Sequence, residues 1–341
     1  MLTSAMRIGI LTNLEATNSA YRAFPVAELA ALGHEVIVDG RAEHAERARL
    51  FRCDVVHVYR YDSRPIQMLV RALRDAGVAI VWDVDDDLGA IPDASPTRHA
   101  KGGMQEQRLL RDVAAMAHLA DVVTTTSMPL ADSYRRVGAD CVHIVENFLP
   151  RLYTAGPARP HAGIVIGWVA SGEHLHDLEH LRVREWLESV LEREPDVRVR
   201  SIGIDLGLPR DRYEREIAVA YRDLGQRIAE FDIAIAPLDD IQFNRARSNV
   251  KLKEYAAAGV PWLASPIGPY RGLGEKQGGR LVPNHGWAAA VERLVHKPRE
   301  RRKLAKRGLS WARGQTAAYN LERWEAPLAE AVQRARRRSP R

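Results

Sequence analysis

The sequence predicts an α/β chain built from two doubly wound parallel-sheet domains, and three observations carry that prediction. Short runs rich in Val and Ile alternate with longer amphipathic segments along most of the 341 residues, as βαβ units do. Many of these runs are apolar throughout, as strands covered on both faces are. Residues 151–163, rich in proline and alanine and poor in large apolar side chains, divide the alternation into two series and read as a linker.

In the first series, residues 1–150, strands are predicted at Arg7–Thr12, Glu35–Val38, Asp54–Tyr59, Val78–Trp82, Val122–Thr125 and Cys141–Val145. Helices are expected between them at Tyr21–Leu32, 65–76, 105–119 and Met128–Val137; Gly33 and Gly138 supply the left-handed residue on which helices commonly end. The second series, residues 164–315, offers strands at Ile164–Val169, Val197–Ile202, Ile233–Ala236, Val260–Ala264 and Arg280–Val282, then helices at Trp287–His296 and Arg299–Arg313. Residues 316–341 are expected to form a last helix, Ala317–Arg336, with a basic tail. Ligands of open parallel sheets bind beyond the carboxyl ends of the strands, so function is sought in the loops that follow them.

Composition narrows the class. With 46% hydrophobic residues the chain has enough apolar mass for two ordinary cores. Part of the net charge of +6 sits in Arg334–Arg341, which reads as a solvated tail; peripheral contact with an anionic membrane, at its inner face, stays open as an alternative. Cys53 and Cys141 lie far apart without metal-ligand spacing, which supports neither a disulfide framework nor a zinc site and fits a reducing cytoplasm. No apolar run approaches the ~20 residues of a membrane span, and the N-terminus lacks a signal-peptide pattern. The loop after the first strand, residues 13–22, has no Gly-x-Gly-x-x-Gly spacing, which counts against a dinucleotide-dependent oxidoreductase.

Two motifs carry chemistry. The segment Asp232–Pro266 reads as strand, charged loop, helix and strand, with Ser248 or Asn249 expected to cap the helix and Gly259 and Pro261 to end it. A helix start with free backbone N–H groups beside Arg245, Arg247 and Lys251 suits a phosphate-bearing ligand. Lys251 and Glu254, three residues apart, can face the same cleft. In Ile80–Leu88, four carboxylates, Asp83, Asp85, Asp86 and Asp87, follow a strand; like charges this close must be solvated, paired or liganded. They could orient or deprotonate a hydroxyl, or form a solvated helix cap. They could also be a magnesium-dependent phosphatase motif of the haloacid-dehalogenase type, with Asp83 as nucleophile and Asp85 as acid. The position after about the fourth strand, without a downstream lysine and acidic motif, counts against the phosphatase. Ser171-Gly172 after one strand of the second series and Gly203 and Asp205 after the next are further loop candidates.

The segment Asp232–Pro266 closely resembles the donor-binding region of retaining GT-B glycosyltransferases, especially the large family-4 group, and the resemblance extends over nearly the whole chain. It implies two Rossmann-like domains facing a central cleft, acceptor-side first and donor-side second, with the last helix crossing back to the first domain. It also implies transfer of a sugar from a nucleotide-diphosphate sugar, with retention of configuration. The helix start would then cradle the diphosphate and Glu254 would hold the ribose. Donor-binding positions would be Ser171, Gly172, Gly203, Asp205, Arg245, Arg247, Ser248, Asn249 and Val250. The catalytic group would draw on Asp83, Asp85, Asp86, Lys251 and Glu254. Asn18, Ser19, Tyr21, Arg22, His57 and Arg60 would face the acceptor side. No cofactor and no divalent metal are implied, because such enzymes meet the donor phosphates with the helix start and basic side chains. The acceptor, whether glycan, lipid-linked, protein, DNA or small molecule, is left open. Two departures stand out: Ala246 occupies the place of a family glutamate eight positions before Glu254, and the arginine and lysine that often follow the first strand of the second domain are missing. They keep in play a non-catalytic homologue that binds a nucleotide-sugar or a partner.

Overall fold

A computed structural model of the chain describes residues 4–12, 19–39, 47–60, 62–96, 103–156 and 161–338, with residues 47 and 103–108 as backbone only. Two six-stranded sheets, parallel at every pairing, organise it. The first contains β1 (Arg7–Leu11), β2 (Glu35–Asp39), β3 (Val55–Tyr59), β4 (Ala79–Asp83), β5 (Val122–Thr125) and β6 (Val142–Ile144), in the order β2-β1-β3-β4-β5-β6. The second contains β7 (Ile164–Ala170), β8 (Val197–Gly203), β9 (Tyr213–Glu216), β10 (Ile233–Ala236), β11 (Trp262–Ala264) and β12 (Gly279–Leu281), in the order β12-β11-β10-β7-β8-β9. Both orders reverse direction beside the first strand of the sheet, which is the switch point where such folds bind ligands. Every residue of the central strands β3, β4, β5 and β10 is buried, which is why those runs are mostly apolar and show no in-out alternation; His57, Asp83, Thr124 and Thr125 are the polar residues among them.

Three elements depart from the expected pattern. Strand β9 lies within the segment between Asp205 and Tyr221; its Tyr-Glu-Arg-Glu sequence has no apolar run, and it is held at the sheet edge by side chains such as Glu214, 2.7 Å from Arg200. The first helix is α-helical over Ser19–Ala27, contains Pro25, and continues as a 3-10 helix over Glu28–Leu32. The last helix is Glu322–Arg338, preceded by 3-10 turns at Arg313–Gln315 and Ala318–Asn320 rather than beginning at Ala317. Its Trp324, Leu328, Ala331 and Ala335 pack with Ile8, Ile10, Val55 and Val81, so the chain's last helix completes the core of its first domain.

The halves also meet directly. Ala246 of the second domain is buried in a cluster of first-domain residues that includes Leu130 and Tyr134, and its carbonyl accepts a 2.7 Å hydrogen bond from Ser127 Oγ. Lys253, fully buried, donates to Glu146 Oε2 at 2.8 Å and to the Asn147 carbonyl at 2.9 Å. Gly172 approaches first-domain Pro96 so closely that a Cβ there would lie 2.7 Å from the proline ring.

Candidate active site

Where the two sheets' carboxyl ends face each other lies a polar cavity of about 390 Å³, lined by Tyr21, Arg60, Asp85, Asp86, Asn147, Ser171, Glu173, Arg247, Ser248 and Val250. Its first-domain wall is built on Arg60, which follows β3 with φ of 57°. A side chain in that left-handed region costs about 1–2 kcal/mol, and the return here is geometric. Arg60 Nε sits 2.6 Å from Asp85 Oδ1 while its Nη2 bonds Asp86, so one guanidinium holds both carboxylates. Tyr59 donates to the same Asp85 oxygen at 3.0 Å. Burial pushes the Asp85 carboxyl above its ordinary range despite Arg60 beside it. Asp86 is the more accessible of the two, with a quarter of its side chain exposed.

Asp83, Arg22 and His57, assigned to the cleft by sequence, lie beneath it. Asp83 and Arg22 are fully buried and face each other: Arg22 Nε donates to Asp83 Oδ2 at 2.9 Å and a second guanidinium nitrogen bonds Oδ1, which also accepts from Thr124 at 2.5 Å. Burial alone would raise the Asp83 carboxyl, but the Arg22 guanidinium overrides it and holds the group far below the usual range. His57 stacks edge-on to Trp324 and places Nε2 3.4 Å from Asp83 Oδ2. These three form a supporting layer. Arg22 also donates to Asn147 Oδ1 at 3.0 Å, and Asn147 Nδ2 donates to Ser248 Oγ at 3.1 Å, so a continuous hydrogen-bond chain links the acidic strand end to the start of the second-domain helix. Ser19, also fully buried, lies 3.2 Å from Thr12 Oγ1 at the end of β1. Asn18 lies outside the described residues.

The second-domain wall is the start of the helix Val250–Ala257. Neither Ser248 nor Asn249 caps it: Asn249 occupies the cap position with no side-chain bond to the helix, and Ser248 is engaged by Asn147. The N–H groups of Leu252 and Lys253 reach the Asn249 carbonyl, at 3.0 and 3.4 Å, which leaves those of Val250 and Lys251 as the uncapped ones, and Asn249 Oδ1 is itself buried without a hydrogen bond. Arg247 lines the cavity beside them and buries Nη1 without a partner. An unpaired guanidinium nitrogen and open helix N–H groups form a ready anion seat.

Deeper in the same helix, Lys251 bonds the Val169 carbonyl and lies 3.1 Å from His174 Nε2. Burial, assisted by Arg247, pushes its ammonium down to about 7. Glu254 is buried beneath Tyr21, whose hydroxyl donates to Oε1, and burial pushes its carboxyl up to about 7 although that bond and Lys251 oppose it. Tyr221 packs edge-on to Tyr21 with ring centroids 5.0 Å apart, and Tyr153 donates to the Glu254 carbonyl at 2.7 Å. The first domain thus lays one tyrosine directly on the second domain's buried carboxylate.

The remaining residues divide. Ser171 lines the cavity, and Gly203, with φ of 112°, lets the end of β8 pass so near β7 that a Cβ would fall 2.0 Å from the Ala170 carbonyl oxygen. Asp205 is outside the cavity, turned onto the Gly207 N–H at 2.9 Å. Arg245 is exposed, pairs with Asp240 at 2.7 Å and lines a neighbouring groove with Met128 and Gln242. Sequence reasoning missed Glu173 and Asn147. Glu173 directly follows Ser171-Gly172 and could have been found as a polar residue past a strand end; Asn147 carries no local signal, since its role depends on partners far away in sequence. Among the described residues no helix is long and apolar enough to cross a membrane.

Residues 181–326, which include the helix Val250–Ala257 that walls the cavity, match the family described as glycosyl transferase-like. The fold is that of solved GT-B structures. Sucrose-phosphate synthase from Thermosynechococcus elongatus superposes with a TM-score of 0.63 at 17% identity, over 97% of this chain and 98% of that one. Anabaena Alr3699/HepE, solved in complex with UDP and glucose, superposes with a TM-score of 0.65 at 14% identity, over 94% and 98%. The same protein in complex with UDP-glucose gives 0.61 at 14% identity, over 94% and 99%. No curated protein matches by sequence.

Proposed function

We propose that the protein transfers a sugar from a nucleoside-diphosphate sugar to a hydroxyl-bearing acceptor, a reading supported by the glycosyl transferase-like match over residues 181–326 and by the GT-B fold. The observation that carries the reading is the conjunction at one helix start: unpaired Arg247 Nη1, uncapped N–H groups, and Glu254 a turn further on. The first two suit a diphosphate; a buried carboxylate suits the vicinal hydroxyls of a ribose. UDP is the first nucleotide to test, since Alr3699/HepE is solved with it.

In this proposal the bond between the anomeric carbon and the donor phosphate oxygen breaks, the acceptor oxygen bonds that carbon with retention of configuration, and the acceptor hydroxyl's proton passes to the departing diphosphate. Charge grows on the departing diphosphate, where Arg247, the helix dipole and protonated Lys251 stabilise it without a divalent cation in the cleft. Asp86, accessible and set by Arg60, orients the acceptor hydroxyl. The free cysteines Cys53 and Cys141 suit a reducing compartment, and we place the reaction in the cytoplasm.

Release of UDP from UDP-sugars in the presence of candidate acceptors tests the reading, and the anomeric proton coupling of the product tests retention. Ala246 favours one other outcome: the short helix Gln242–Ala246 offers the cleft no carboxylate, as a donor-binding protein without turnover would tolerate. Donor binding without nucleotide release across glycan, lipid-linked, protein, DNA and small-molecule acceptors would establish that outcome.

A further inference from the structure

We propose that Cys141, His143 and Glu330 form a zinc site that fastens the last helix to the edge of the first sheet. Cys141 immediately precedes edge strand β6 and His143 lies within it, two residues on, so both side chains leave the same face. Glu330 reaches them from the helix Glu322–Arg338, with Oε1 3.2 Å from Cys141 Sγ and Oε2 2.8 Å from His143 Nε2.

Sequence spacing could not show this, because the third ligand is nearly two hundred positions away. One sulfur, one imidazole nitrogen and one carboxylate oxygen are the donors zinc takes. The three lie within 4.8 Å of one another. An ion bonded at about 2.0–2.3 Å to each donor needs only small side-chain rotations to be shared by them. About a third of the His143 side chain and more of Glu330 are exposed, so an ion can enter from solvent and water can take the fourth position. Arg334, 3.9 Å from Glu330 Oε1 and itself part-exposed, must swing outward, and Arg135 is a second cation near Cys141.

Zinc displaces to solvent the thiol proton, which now rests against the Glu330 carboxylate. The site lies away from the cleft and stands independently of the donor reading. Its role follows from where it sits: the helix carrying Glu330 also carries Trp324, which packs on the supporting layer at Arg22 and His57.

The test is a titration of the purified, metal-free full chain with Co²⁺ followed by back-titration with Zn²⁺, using the visible and near-ultraviolet spectrum and thermal melting. The expected result is one equivalent bound, with a thiolate-to-cobalt band that zinc abolishes, and a zinc-dependent rise in Tm. Cys141→Ser should lose the band, and His143→Ala should weaken uptake at least tenfold, while both keep the wild-type circular dichroism. Failure of the wild-type chain to bind one equivalent, or a band and Tm shift unchanged in Cys141→Ser, would overturn the proposal.

Discussion

Arg22 illustrates how far a residue's work can lie from its apparent place. It is buried with Asp83, stacks 4.4 Å over the Trp324 ring, and continues through Asn147 to Ser248. Removing one partner of such a pair leaves an uncompensated buried charge. Arg22→Met should therefore cost about 3–5 kcal/mol in urea unfolding, and adding Asp83→Asn should recover much of it. Asp86→Ala should behave differently, lowering transfer at least ~10²-fold while donor affinity measured by calorimetry stays within a few-fold. Sequence reading grouped Asp83, Asp85 and Asp86 because nothing local separates them; what separates them is Arg22, 61 residues from Asp83, and Arg60. Arg247, Lys251 and Glu254 could be grouped from the sequence because they lie around one helix start within the same segment, whereas Tyr21, Val169 and His174, which touch Glu254 and Lys251, lie far away in sequence.

At the scale of the element, the helix Val250–Ala257 carries two oppositely shifted groups. Glu254 binds its proton more tightly folded than unfolded, so the stability it contributes at low pH is lost as pH rises from about 4.5 to about 7. Lys251 is shifted down, so the unfolded chain holds a proton the folded one lacks, and stability rises with pH between about 7 and about 10.5. The ligand-free protein should show a shallow stability minimum near pH 7 in a Tm profile. Glu254→Gln should flatten the acid limb and Lys251→Met the alkaline limb. At the end of β8, Gly203→Ala meets both an unfavourable φ and the Ala170 carbonyl, and should cost about 1–3 kcal/mol in unfolding free energy. Strands with continuous apolar runs were readable in the sequence, and β9 was not, because an edge strand of alternating charges is held by cross-strand partners rather than by burial. The expected cap at Ser248 or Asn249 failed for a related reason: Asn147, across the cleft, claims Ser248.

Across the whole molecule, the two domains are held by specific contacts, among them Tyr21 on Glu254, Lys253 on Glu146 and Asn147, Gln242 on Asp87 at 3.0 Å, and Ala246 within the first-domain core. The missing glutamate at 246 thus has a structural counterpart. In this arrangement a carboxylate at that position would be driven into apolar packing, so Ala246→Glu should lower Tm and enlarge the radius of gyration seen by small-angle X-ray scattering rather than raise activity. An unchanged radius together with faster transfer would show that the interdomain packing is incidental.

The central claim is that this cleft seats a nucleoside diphosphate between Arg247, the uncapped helix start and Glu254, and calorimetric titration with UDP in the absence of divalent cations tests it most directly. The account predicts one site per chain, with affinity reduced at least tenfold, about 1.4 kcal/mol, by Arg247→Met and by Glu254→Gln. Absence of binding by UDP and by every other nucleoside diphosphate, or affinity untouched by both substitutions in folded protein, would contradict it.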